Sequence, residues 1–140
     1  MIIISKLNEL SEKLYAELLK LWELAGISNP ARSDSFAALN NSLVHTGCLL
    51  LAQDGEKLLG SAWLSHDFRR LYIHHMAVLP VHQNKGLGTM LLTEALAIAK
   101  ELGYQAKLEV HQDNSGAKHL YENFGFTELS GYLSYIKRDT

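Results

Sequence analysis

A chain of 140 residues is the size of one ordinary domain, which excludes two-lobed designs with separate cofactor and substrate domains. Its 47% apolar and 20% charged residues exclude wholesale disorder, and a net charge of −2 lacks the basic footprint of a nucleic-acid binder. The single cysteine, Cys48, can form no internal disulfide, so a reducing cytoplasm is the expected home.

The apolar opening Ile2-Ile3-Ile4 is far shorter than the roughly 7–15 apolar residues of a signal-peptide core. No run approaches the roughly 18 apolar residues that cross a bilayer, so no membrane partner is expected. Ile2 to Leu7 reads as a short strand. Leu14, Leu18, Leu21, Trp22 and Ala25 then recur at helical spacing, and Gly26 ends that helix. Ser33 and Asp34 are candidate caps for a second helix carrying Phe36, Leu39 and Leu43 on one face. Between the two helices lies the least regular stretch of the chain, with Asn29, Arg32, Ser33 and Asp34.

The texture then turns to strands. Cys48 to Ala52 and Leu58 to Ser65 flank the hairpin signal Asp54-Gly55, and a turn near Asp67 leads to Leu71 through Val78. This predicts a three-stranded antiparallel meander, stopped by Pro80. A polar loop, His82-Gln83-Asn84-Lys85, runs into Gly86-Leu87-Gly88 and a long helix that Gly103 terminates. Ala106 to His111 reads as a strand, Asn114 caps a short helix through Tyr121, and Gly125-Phe126 leads to one or two last strands ending near Ile136. The whole reads as a single α/β domain over residues 1–140.

The chemistry concentrates at the strand-to-helix junction. A helix N-terminus offers unpaired N–H groups and the positive end of the helix dipole, and glycines let a pyrophosphate approach the backbone. A merely connecting glycine turn is the plain alternative. The nucleoside-triphosphate loop does not fit, because Gly88 is followed by Thr89-Met90 rather than Lys and Ser or Thr. The dinucleotide fingerprint does not fit either: its third glycine is replaced by Leu91, and the strand after the helix ends in His111 rather than an acid.

The stretch Val78 to Gly88, with Gln83, Gly86 and Gly88 at Gln/Arg-x-x-Gly-x-Gly/Ala spacing, resembles the acetyl-CoA loop of the GNAT N-acetyltransferases. Leu108-Glu109-Val110, Asn114, Ala117, Tyr121, Glu122 and Gly125-Phe126 resemble that family's second block, in order and spacing. The resemblance covers about Leu71 to Phe126. It implies a mixed twisted sheet of six to seven strands flanked by four helices, and transfer of an acetyl group from acetyl-CoA to an amine by direct attack. The backbone of Gln83, Asn84, Lys85, Gly86, Leu87, Gly88 and Thr89 is implied to hold the pyrophosphate. Met76, Ala77 and Val78 are implied to bond the pantetheine arm and thioester, with Asn114 and Tyr121 on the other side of the cofactor. Asn84 departs from the glycine that many members carry, a change that leaves the backbone donors in place.

Direct attack on a thioester needs a neutral amine, a polarised carbonyl and a protonated leaving thiolate. The resemblance assigns polarisation to backbone N–H near Val78 and the acid role to Tyr121. For the base, Glu109 and His74 stand as rivals, with a water chain as a third route. Strand alternation predicts His74 on the face of Met76 and Val78 and His75 on the opposite face. The seven histidines lack metal-ligand spacing, so no metal is expected, and Cys48 reads as core. The resemblance places the acceptor near Trp22 to Phe36, with Trp22, Arg32 and Asp34 as candidate contacts. The acceptor is a small-molecule or protein amine, and a homodimer is expected. A CoA-binding regulatory module that has lost transfer is the rival reading.

Overall fold

The computed structural model describes residues Met1–Thr140, the side chain of Ala31 excepted. The chain divides into two compact units, Met1–Glu109 and Val110–Thr140.

The first unit runs β1 (Ile2–Leu7), α1 (Glu12–Leu24), a 3-10 turn at Pro30–Arg32, α2 (Phe36–His45), β2 (Gly47–Asp54), β3 (Lys57–His66), β4 (Arg70–Val78), a 3-10 turn at Pro80–His82, α3 (Leu87–Leu102) and β5 (Gln105–Leu108). Its strands form one sheet in the order β1-β2-β3-β4-β5, antiparallel except for the parallel pair β4 and β5. The parallel step follows from α3, which supplies the long crossover that two parallel neighbours require.

The helix starts obey local chemistry. Ser11 caps α1 by accepting from Leu14 N–H, and Ser35 caps α2 by accepting from Ala38 N–H, both at 3.1 Å. The predicted caps Ser33 and Asp34 are displaced: Ser33 adopts a left-handed φ of 58° and the Asp34 side chain points elsewhere. One core cluster joins Leu18, Leu21 and Trp22 of α1, Leu39 and Leu43 of α2, and Leu49, Leu51 and Ala77 of the sheet. Helix α3 packs on β2, β3 and β4 through buried Leu87, Leu91, Leu92, Ala95 and Ala99. A Cβ on Gly60 would come within 2.9 Å of the Ala77 carbonyl oxygen and 3.3 Å of Leu91 Cδ1. That close approach is what the glycine permits.

The second unit holds α4 (Ser115–Asn123), capped by Asn114, whose Oδ1 accepts from Ala117 N–H at 3.1 Å. The sheet therefore has five strands among the described residues, where six to seven were expected. The missing ones fall after Phe126. Leu129, Tyr132, Leu133, Tyr135 and Ile136 are all exposed there, without a strand ladder. Apolar residues favour a strand only when a partner strand takes up their backbone groups.

Candidate acetyl-transfer site

The architecture of β4 sets the site. Its pairing with β5 ends at Ile73↔Leu108, yet β4 itself continues to Val78. Residues 74–78, Met76, Ala77 and Val78 among them, thus extend past the last β4–β5 pair. On the β3 side the register slips: Leu64 faces Ile73 and Trp63 faces His75, so His74 is an extra residue, a β-bulge. A bulge interrupts alternation and re-aims side chains.

The consequence is a correction to the alternation argument. Both His74 and His75 contact Trp63, with ring centroids 4.7 and 5.3 Å away. The two imidazoles share the side of the sheet that α1 and α2 cover; they do not point to opposite faces. His74 Nε2 lies 2.5 Å from Ser65 Oγ, and its ring stacks on Tyr72 at 6.2 Å. Its pKa sits below the ordinary 6.5, because desolvation and neighbouring His75 disfavour the charged ring, while Asp34 pulls the other way. His74 is thus poised as a neutral imidazole at pH 7.

His75 is buried, 8% exposed, with its Nε2 2.7 Å from Asp34 Oδ2 and its ring edge-on to Trp22 at 4.8 Å. This pair joins β4 to the loop between α1 and α2. Tyr15 fixes the same loop by donating its hydroxyl to the Asp34 carbonyl at 2.7 Å. Asp34 is therefore not the cap of α2; its half-buried carboxylate is held by His75. Trp22 is 3% exposed and donates Nε1–H to Ser61 Oγ at 3.1 Å, so it belongs to the core beneath the site and forms no open pocket wall. Arg32 Nη1 donates to the Ile27 carbonyl at 2.6 Å and closes its own loop.

On the other side of β4, the predicted phosphate loop has the required backbone. Gly86 is left-handed at φ 85° and Asn84 at φ 63°. Asparagine is among the few residues that tolerate this region, which explains why it can stand where glycine is common. No protein atom lies within 4 Å of where a Gly86 Cβ would be, so the backbone there is open to a ligand. Gln83 Nε2 donates to the Val78 carbonyl at 3.1 Å and ties the loop to the strand end. Leu87 is buried and anchors the helix start, while residues 83–86 are exposed. The first-turn N–H groups of α3, Leu87, Gly88 and Thr89 among them, lack intrahelical acceptors and face this loop end. An anionic pyrophosphate with an extended amide-bearing arm fits this set: helix-terminal donors for the one, the strand end past its last β5 pair for the other.

Glu109 is exposed and follows Leu108, the last β5 residue paired with β4. That places it one step past Ile73 in register, at the mouth of the divergence. In the second unit, Tyr121 is half-buried, packs edge-on to Phe126 at 5.9 Å, and has a phenol held above its ordinary pKa of 10 by burial. Such a hydroxyl stays protonated at neutral pH. Asn114 spends its side-chain oxygen on capping α4. Burial likewise pushes up the thiol of Cys48, which is 5% exposed, so it is no thiolate nucleophile. Among the described residues no three His, Cys, Asp or Glu side chains gather as a metal site, and no helix is long and apolar enough to cross a membrane.

Residues 10–126 match the family model described as Acetyltransferase (GNAT) family. The chain belongs to that family. It is 32% identical over 105 residues to the ribosomal protein bS18-alanine N-acetyltransferase of Haemophilus influenzae, covering 74% of this chain and 71% of that one. Among solved structures, a GNAT family acetyltransferase of Streptococcus pneumoniae superposes with a TM-score of 0.76 at 28% identity, over 99% of this chain and 100% of that one. The PaiA N-acetyltransferase of Thermoplasma acidophilum, solved with coenzyme A, gives 0.74 at 25% identity, over 91% and 90%. Some curated relatives are longer: the matched part of the Bacillus subtilis protein CgeE is 26% of its length. As a GNAT domain the chain is an acetyltransferase, and acetyl-CoA is its acetyl donor.

Two features of the site were missed in the sequence. His74, expected on the face of Met76 and Val78, lies instead on the face of His75, because a bulge leaves no mark in hydrophobic periodicity. Trp63 and Ser65 were read only as strand residues.

Proposed function

We propose that this protein is an N-acetyltransferase that moves an acetyl group from acetyl-CoA to a primary amine of a small molecule or protein by direct attack. The observation that carries the reading is the parting of β4 from β5 beside a left-handed glycine loop at the N-terminus of α3. When bound, acetyl-CoA supplies the acetyl group as an activated thioester. The protein's own groups do the rest. The backbone of Gln83 through Thr89 takes the pyrophosphate, and the end of β4 at Met76, Ala77 and Val78, past its last β5 pair, takes the pantetheine arm. Backbone N–H near Val78 polarises the carbonyl.

Proton traffic needs a base and an acid. His74 is neutral at pH 7, and in the tautomer that donates Nε2–H to Ser65, its Nδ1 carries the accepting lone pair. Glu109, exposed at the mouth of the divergence, is the alternative base. Tyr121, kept protonated by burial, returns a proton to the leaving thiolate, and Asn114 steadies its helix.

The likeness to the bS18-alanine enzyme supports an α-amine on a protein as one acceptor to try. A single, buried cysteine suits a cytoplasmic protein. The exposed apolar side chains near the C-terminal end support a homodimer, which sedimentation tests. The acidic balance supports partners other than nucleic acid. Titration calorimetry with acetyl-CoA, followed by free-thiol detection over an amine panel, tests the main reading. Binding with acetyl transfer is the expected result. Binding with no thiol released by any amine would instead make the protein a CoA-binding module.

A further inference from the structure

Strand β4 begins at Arg70, at the opposite end from the glycine loop that follows Val78. The turn leading into it from β3 is locked from several directions. Asp67 Oδ1 accepts from the backbone N–H of Arg69 and Arg70 at 3.0 and 2.8 Å, and Oδ2 accepts the Tyr72 hydroxyl at 3.2 Å. His66 Nδ1 accepts from Phe68 N–H at 3.1 Å, and its ring meets Phe68 edge-on at 4.8 Å and Tyr104 at 5.4 Å. The result is a rigid tip that presents Phe68, left-handed at φ 67° and 74% exposed. A bulky aromatic is a poor choice for that backbone region, and its ring meets water. Both features cost the isolated chain stability, which points to a use on the surface.

His66 also lines a cleft of about 290 Å³ beside the tip. Leu43, Cys48, Leu64 and Leu71 are its buried lining, and Val44 and Leu102 line it while 56% and 43% exposed. Lys6 and Glu101 line it too, and neither forms an ion pair among the described residues. A cavity of about 150 Å³ holds benzene, so this cleft has room for a benzyl side chain.

We propose that this end of the sheet is a self-association surface, with Phe68 of each chain seated in the cleft of a second copy across a two-fold axis. The proposal rests on the homodimer reading and names its surface, one distinct from the apolar C-terminal side chains. Knob and hole neighbour each other on one patch, as an isologous contact requires, so each copy gives what it receives. The contact covers Phe68, Val44 and Leu102 together. Its charges match as well: the exposed tip brings Asp67 and Arg69, the cleft Lys6 and Glu101, so Arg69 can meet Glu101 and Asp67 can meet Lys6. A small aromatic ligand would fill the cleft and leave the tip bare, whereas a second copy uses both. The locked turn lowers the ordering cost of the contact.

Sedimentation equilibrium on the full chain, from micromolar to millimolar concentration, should show a reversible monomer–dimer equilibrium. Phe68→Gly removes the ring and suits the left-handed φ, so its thermal midpoint should be retained or raised. It should weaken dimerisation about tenfold or more. Arg69→Glu should weaken it less, and Glu101→Arg added to that chain should restore it. In dimers mixed from labelled and unlabelled chains, filtered NMR should show contacts between copies from the Phe68 ring to the Val44 and Leu102 methyls. A parent chain that stays monomeric overturns both the surface and the homodimer reading. A dimer that Phe68→Gly leaves intact, or one without those ring contacts, overturns the surface and leaves the homodimer standing on another.

Discussion

The two sides of β4 are built from different materials. On one side, the loop Gln83–Gly86 and the start of α3 present backbone: left-handed turns at Asn84 and Gly86, helix-terminal N–H groups, and a strand that runs on past its last β5 pair at Ile73. On the side that α1 and α2 cover, the structure is held by side chains drawn from distant segments: Tyr15, Trp22, Asp34, Trp63, His74 and His75. Backbone recognition tolerates wide changes of side chain, whereas a side-chain cluster is specific and fragile. The loop side can therefore absorb side-chain changes that the α1–α2 side cannot.

Substitutions can break this contrast. The largest effect is expected at Tyr121. Phenylalanine there keeps the edge-on packing with Phe126 and removes the proton, so kcat should fall about 100-fold or more with acetyl-CoA affinity retained. Thiol-release kinetics check this, and an unchanged kcat would remove Tyr121 from the acid role. Next comes Gly86→Val, which forces a β-branched residue into φ 85°. It should weaken acetyl-CoA binding about tenfold by calorimetry, through strain of about 1–2 kcal/mol, and leave the acceptor KM alone.

Trp22→Phe probes the α1–α2 side from below. It strands the buried Ser61 hydroxyl without its indole donor and should cost about 1–3 kcal/mol in urea unfolding. Retained acetyl-CoA binding in that variant would keep the two sides separable. The pH profile sharpens the choice of base. A base acts only when deprotonated, so kcat/KM should fall as pH drops, and with His74 as base the midpoint lies below 6.5. His74→Ala should abolish that limb if His74 accepts the proton, and Glu109→Gln should abolish it if Glu109 does. The smallest effect belongs to Asn84→Gly, which relieves a left-handed non-glycine at φ 63° and should raise stability by about 1 kcal/mol or less, read as a thermal midpoint.

How far the sequence could be read follows the same division. Helical spacing located α1, α2 and α3, and strand patterning located β1 to β4, because both depend on residues close along the chain. The cap of α2 moved from Ser33 and Asp34 to Ser35, since any of three adjacent polar residues can start a helix and packing chooses among them. The terminal strands expected beyond Phe126 do not form in the described fold, for want of a ladder partner.

By itself the sequence determined the family and the glycine-dependent backbone of the loop before α3, for left-handed turns and helix starts are local conformational demands that only a few residue types meet. The tertiary structure alone decided the side of β4 that α1 and α2 cover. A single extra residue in β4 turned His74 onto the face of His75, and the fold carried Asp34 across 41 positions to meet a buried imidazole. Register and long-range pairing are collective properties of the packed sheet, and no local pattern encodes them.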